Sequence, residues 1–307
     1  MNKKAWVVIV ILLILSLIGY IVYDVAFYKE KTPTNTAVID SSKIEDLWYK
    51  ADEFEPNLGK LKTITASPGS FLFIGGEKFV AKYKSDLAPV WTLPLKKTVT
   101  SLALSGDTVF AATWESIMVI SPDGKLINEW GPFEDSSAIV SVSANKSLVA
   151  FSDAQHKIVT IVDKNGNMLK QIGLSGEPFI IPSFYFEVDL TDENQIYIAN
   201  TGKSRIELRN LDGSIVSTIG EPGNSPGYFC GCCNPSHFIR IPGGFVTAEK
   251  GINRIKIIDN KGAFIEFVNS VNKFTRSVPL DIASPDGKVI YAVNPADSKM
   301  YIFKRKE

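Results

Sequence analysis

An all-β body is what the sequence predicts, on three observations. Beyond residue 50, short runs rich in Val, Ile, Phe and Tyr are separated by turn signals, and no stretch sustains the 3.6-residue apolar period of a helix. The turns recur in one context: Ser121-Pro122-Asp123-Gly124-Lys125, Lys164-Asn165-Gly166-Asn167, Leu211-Asp212-Gly213-Ser214 and Asn260-Lys261-Gly262-Ala263. Asn-Gly and Asp-Gly supply the positive φ of tight hairpins, and each turn follows a strand such as Ile117-Met118-Val119-Ile120 or Ile255-Lys256-Ile257-Ile258. From Asp123 to Asn165, on to Asp212 and on to Lys261, the intervals are 42, 47 and 49 residues. A repeat of about 40 to 50 residues holding four short strands is a propeller blade.

Taken in order, the blades are expected near residues 63–97, 98–131, 137–173, 183–220, 235–269 and 278–303. The last has three strands, ending at Tyr301-Ile302-Phe303, which leaves an open edge that invites association. A strand at 44–54 is therefore expected to pair with it and close a ring of six; a seventh blade would need a full set of strands within 44–62, which is too short.

Ahead of this body, residues 5–23 carry no charge, and only Ser16 and Gly19 dilute the aliphatics. At about 1.5 Å per residue such a helix approaches the roughly 30 Å of a bilayer's hydrocarbon core. Tyr20, Tyr23, Phe27 and Tyr28 suit an interfacial belt. Lys3 and Lys4 precede the stretch, while Lys29 and Lys31 follow it interleaved with Asp24 and Glu30. The expectation is a single-pass anchor at 1–23 with a cytoplasmic amino terminus, a polar tether at 24–43 and an extracytoplasmic, periplasmic or cell-surface propeller at 44–307. A late-cleaved signal peptide is the alternative, and it also exports the body. Without Lys3 and Lys4 the exported part has 31 basic against 33 acidic residues, so it lacks the basic excess of a nucleic-acid binder.

Two stretches carry a family resemblance. Ile196-Tyr197-Ile198-Ala199-Asn200-Thr201-Gly202-Lys203-Ser204-Arg205-Ile206-Glu207-Leu208 resembles the strand-turn-strand of the NHL repeat, and Phe245-Val246-Thr247-Ala248-Glu249-Lys250-Gly251-Ile252-Asn253-Arg254-Ile255 repeats the pattern. Between them, Ile219-Gly220-Glu221-Pro222-Gly223 and Phe229 with Pro235 are similar to that family's Gly-rich link and its Phe-x-x-Pro. The resemblance implies a six-bladed propeller, most often a binding module and occasionally a lyase or hydrolase. The family's amidating lyase sets several histidines around zinc in its channel; with only His156 and His237 here, that site does not carry over.

The departure from the family is the insertion Phe229-Cys230-Gly231-Cys232-Cys233-Asn234-Pro235, which with His237 holds every cysteine and one of the two histidines. In the usual strand order this link shares a face with the loops bearing Trp114, His156, Asn200, Glu249 and Lys250, so these residues are the candidate ligand-binding set. Outside the cytoplasm a disulfide is the default. Cys230 reaches either partner, whereas Cys232 and Cys233, about 3.8 Å apart at Cα, fall below the usual bridge minimum of about 4.4 Å. Metal is the second reading: Cys230-x-x-Cys233-x-x-x-His237 is a soft donor set for copper, zinc or an iron–sulfur centre, completed by Cys232 or Glu249. A redox-active pair is the third.

Other features have plain structural readings. Arg205 and Arg254 occupy matching blade positions, Glu249 and Lys250 read as a solvated loop pair, and the tryptophans read as packing residues except Trp114, which sits at the expected mouth. The apolar insertion at 173–186 reads as a plug over the channel or a docking patch. No phosphate loop, Gly-x-Ser-x-Gly elbow or zincin motif occurs. No catalytic residue is assigned, and the expected role is binding a protein or small-molecule ligand. A metal-dependent or redox accessory built on the cysteine loop is the alternative.

Overall fold

The computed structural model describes residues 3–27, 44, 47–68, 71–231, 233–252, 254–270 and 278–306. It falls into two units, 1–39 and 40–307.

Among the described residues the first unit holds α1 (Lys3–Phe27), which ends four residues past the expected anchor. Its described aliphatic side chains are open, among them Leu12 at 60% and Leu13 at 65% exposure. Among the described residues no helix is long and apolar enough to cross a membrane, so the helix is present while the expected span is not shown. Residues 28–43, most of the expected tether, lie outside the described residues.

The second unit is all-β and builds six antiparallel sheets. The first contains β2 (Leu61–Ala66), β3 (Phe71–Lys84) and β4 (Pro89–Thr98). The second is β5 (Ser101–Ser105), β6 (Thr108–Ala112), β7 (Ile117–Ile120) and β8 (Leu126–Trp130). Next come β9 (Ile139–Ala144), β10 (Leu148–Asp153), β11 (Ile158–Asp163) and β12 (Met168–Ile172). The fourth holds β13 (Val188–Leu190), β14 (Gln195–Asn200), β15 (Arg205–Asn210) and β16 (Ile215–Ile219). The fifth holds β17 (His237–Ile241), β18 (Gly244–Ala248), β19 (Ile255–Asp259) and β20 (Phe264–Asn269).

The sixth sheet closes the ring as expected. It orders β1 (Trp48–Phe54) beside β23 (Lys299–Arg305), then β22 (Val289–Asn294) and β21 (Asp281–Ala283). β1 runs antiparallel to β23 from Trp48↔Arg305 to Phe54↔Met300, with an irregularity between Lys50 and Asp52. Trp48 is buried there and donates its indole N–H to Glu266 Oε1 at 2.8 Å, tying the closing strand to the preceding sheet.

The core is divided between neighbouring sheets. Six buried apolar clusters each join residues of two adjacent blades; one, for example, unites Ala199 and Ile206 with Phe238, Phe245 and Ile258. A middle strand is therefore covered on both faces, which is why β7 and β11 read as nearly continuous apolar runs, broken in β11 by Thr160 alone before Asp163, instead of alternating ones. The hairpin glycines serve the same packing. Gly166 has φ 86°, and a Cβ on it would lie 2.5 Å from the Trp130 ring of the preceding blade; Gly124 stands in the same relation to Trp91.

Blade one departs from the four-strand pattern. β3 pairs with β2 up to Gly76 and with β4 from Glu77 onward, so one continuous segment stands in for two strands. The 173–186 insertion is split between core and surface. Phe179, Ile181 and Phe186 are buried in the cluster between the third and fourth sheets, while Leu174, Ile180 and Phe184 remain exposed.

Candidate functional site

The first strand of each blade lines the ring's interior: β2, β5, β9, β13, β17 and β21 surround a cavity of about 800 Å³. Its ionic lining is acid-rich, with Glu187, Asp189, Asp192 and Asp281 against Arg240 and Lys146. Arg240 is spoken for by Asp189, whose Oδ1 lies 3.1 Å from its terminal nitrogen.

Where three of these strands begin, side chains from three blades converge. His237 opens β17, Asp281 opens β21, and Glu187 directly precedes β13. His237 Nδ1 is 2.8 Å from Glu187 Oε2 and 3.5 Å from Asp281 Oδ1. Neighbouring strands hold both carboxylates. Glu187 Oε1 accepts the Ser141 hydroxyl at 2.6 Å, and Asp281 Oδ2 accepts the Ile64 backbone N–H at 2.8 Å. The three side chains are 15–19% exposed, shielded yet reachable. Burial raises the Glu187 carboxyl above its usual range against the opposing pull of His237. Burial also works against the His237 imidazolium, but the Glu187 hydrogen bond and the charges of Asp281 and Glu187 outweigh it, and its pKa is raised. Two carboxylates thus share one imidazole, an arrangement suited to holding positive charge. Tyr185 stands edge-on to His237 at 6.2 Å between ring centres, and Lys250 sits 5.2 Å from the Tyr185 ring centre.

The residues expected from sequence are spread over several roles. Glu249 is not a solvated loop residue: it is 1% exposed, and its carboxylate is gripped by Arg254 at 2.9 and 3.0 Å and by Lys256 at 3.0 Å. The Lys256 pKa is lowered to about 8, mainly by burial. Asn200 is fully buried, donating to Glu207 Oε1 at 2.9 Å and accepting the Ile180 N–H at 2.9 Å. Glu207 in turn pairs with Arg205 and Arg209, so the matching arginines of blades four and five both neutralise a buried carboxylate. His156 caps its own turn through Asp153 at 2.8 Å, a hydrogen bond that raises the imidazole pKa. Trp114 is exposed and meets Phe184 edge to face at 6.0 Å.

The cysteine loop lies beside Glu249, whose Oε2 accepts the Cys230 N–H at 3.3 Å. Asn234 fastens its far end, giving its side-chain N–H to the Lys250 carbonyl at 3.0 Å and accepting the Lys250 N–H at 2.7 Å. Cys230 is a free, half-buried thiol, Cys233 is buried, and Cys232 lies outside the described residues. Among the described residues, the metal-capable grouping is Glu187, His237 and Asp281, and neither Cys230 nor Cys233 joins it. Of the expected donor set, His237 is engaged with Glu187 and Asp281, and Cys232 lies outside the described residues.

Glu187, Asp281, Asp189 and Arg240 were missed by local motif reading. Their signal is positional: Glu187, His237 and Asp281 are 50 and 44 residues apart, one blade each, at the start of an inner strand.

Neither family models nor curated proteins match this chain. Solved structures do. A catalytically inactive histidine-to-alanine variant of virginiamycin B lyase from Staphylococcus aureus, solved with quinupristin, is similar at TM-score 0.59 and 15% identity, over 84% of this chain and 99% of that one. A Bacteroides thetaiotaomicron protein of unknown function is similar at TM-score 0.62 and 14% identity, over 86% and 73%. A chain of the mitotic checkpoint complex is similar at TM-score 0.55 and 13% identity, over 91% and 98%. At such identities the likeness establishes the fold alone: this is a six-bladed β-propeller.

Proposed function

We propose that this chain is a membrane-tethered, extracytoplasmic propeller of NHL type that works as a binding module and receives its ligand in the central channel, against Glu187, His237 and Asp281. The carrying observation is the unbalanced trio itself: two shielded carboxylates with a single imidazole at the head of an acid-rich cavity. A ligand presenting positive charge suits it. The tether rests on the uncharged stretch at 5–23 and the exposed aliphatic side chains of α1. The NHL assignment rests on the motif shared by β14–β15 and β18–β19. A small-molecule and a protein ligand both fit this architecture, since one similar propeller was solved with quinupristin and another within a multiprotein complex.

The test is calorimetric titration of the detergent-solubilised full-length chain with diamines and Lys- or Arg-bearing peptides, beside their carboxylate counterparts. Cationic compounds are expected to bind, and Glu187→Gln or Asp281→Asn to weaken them at least about tenfold, a difference of about 1.4 kcal/mol. Equal binding of the anionic compounds, or indifference to both variants, would overturn the reading.

A further inference from the structure

We infer that Glu187, His237 and Asp281 form a binding site for one divalent first-row metal ion of the manganese, iron or zinc class. This rests on the channel reading above and names the positive charge that the channel holds. One imidazole nitrogen and two carboxylate oxygens form a borderline donor set, neither the thiolate set of a copper(I) site nor the all-oxygen cage of calcium.

The spacing is that of donors around one ion. At metal–ligand distances of about 2.0–2.2 Å, adjacent donors stand about 3 Å apart at right angles and about 3.5 Å apart at the tetrahedral angle. His237 Nδ1 lies 2.8 Å from Glu187 Oε2 and 3.5 Å from Asp281 Oδ1, and all three donor atoms are within 4.8 Å of one another. With neutral imidazole the three donors carry two negative charges, which a dication cancels.

The supporting shell is in place as well. Metal-binding carboxylates are usually oriented by outer hydrogen bonds; here Ser141 donates to Glu187, and the Ile64 and Ile282 backbone N–H groups donate to Asp281 at 2.8 and 2.9 Å. Each ligand comes from a different one of three successive blades, so the site exists only when those blades are packed together. The adjoining cavity leaves room for a ligand or water to complete the coordination.

The experiment uses the full-length chain in detergent, stripped with EDTA and titrated with manganese(II) by electron paramagnetic resonance and with zinc(II) by calorimetry. About one ion per chain is expected, with nitrogen hyperfine coupling to bound manganese. His237→Ala should abolish that coupling, and Asp281→Asn should weaken binding at least about tenfold. Ser141→Ala should cost about tenfold while leaving the coupling in place. A Cys230→Ser, Cys232→Ser, Cys233→Ser variant should still bind one ion.

Absence of binding, insensitivity to His237→Ala and Asp281→Asn, or loss only in the cysteine variant overturns the metal site. Circular dichroism and the unfolding midpoint verify that each variant is folded. If metal fails while diamines still depend on Glu187 and Asp281, the channel reading survives without the ion. If neither binds, both fall.

Discussion

Two ionic clusters draw on blade five, one buried within it and one shared with the blades on either side, and they differ in their arithmetic. In the loop cluster, one carboxylate, Glu249, is matched by two cations, Arg254 and Lys256, and the Tyr228 carbonyl takes a hydrogen bond from each cation. In the channel cluster, two carboxylates share one imidazole. The first has no negative charge left to offer a ligand, so its role is to brace the cysteine loop. The second is unfinished. A buried charge that is already neutralised marks structure, whereas one left over beside a cavity marks a site.

The two clusters should differ most at Glu249. Glu249→Gln strands Arg254 and Lys256 without their counter-charge and should destabilise the chain by about 3–5 kcal/mol, whereas Asp281→Asn should cost less than about 1 kcal/mol. Denaturant unfolding of the two variants checks this, and equal losses would erase the distinction. As a scale remote from both clusters, Gly166→Ala forces a Cβ against Trp130 and should cost about 2 kcal/mol, read from the same unfolding curves.

Lys164 is the counter-case: its side chain is half-buried, its Nζ is covered, and it forms no ion pair among the described residues. Its Nζ makes no hydrogen bond and sits 4.6 Å from the Phe110 ring centre, and burial lowers its pKa from 10.5 to about 8. Between those two values the unfolded chain holds a proton that the folded chain has released. Stability therefore climbs as pH rises through that window and is lowest, as far as this group is concerned, below it. Lys164→Met should raise the melting temperature at pH 7 by about 2 °C and flatten part of the climb. The remainder belongs to Lys256, which shares the lowered value of about 8. A variant that melts lower at pH 7 would show that the ring contact matters more than the missing partner.

The smallest effect is expected at Cys230. Cys230→Ser should shift stability by less than about 0.5 kcal/mol, since the half-exposed thiol donates a single hydrogen bond, to Asn224 Oδ1 at 3.1 Å, that a serine hydroxyl can replace. A larger loss by thermal unfolding would return a bracing role to the sulfur.

Much of the fold was legible because its signals are local. Asp-Gly and Asn-Gly set hairpins wherever they occur, and the 42-to-49-residue spacing counts blades without any knowledge of contacts. Even the closing strand follows locally, from an incomplete last sheet and a spare strand ahead of the first. Blade one was harder, since β3 has no turn dipeptide to divide its two halves.

The site was legible only in part, and for a physical reason. His237 drew notice because histidine is scarce, but its sequence neighbours are cysteines, and strand direction turns its ring toward Glu187 and Asp281, a full blade away on either side. Glu249 looked solvated because nothing in Ala248-Glu249-Lys250 reveals that Arg254 and Lys256 fold back over it. By itself the sequence determined the class of architecture, the number of blades and the closure of the ring, since these depend on turn chemistry and periodicity a few residues long. Only the tertiary structure decided which charges meet and which stay unbalanced, because that depends on six sheets bringing their first strands to one axis.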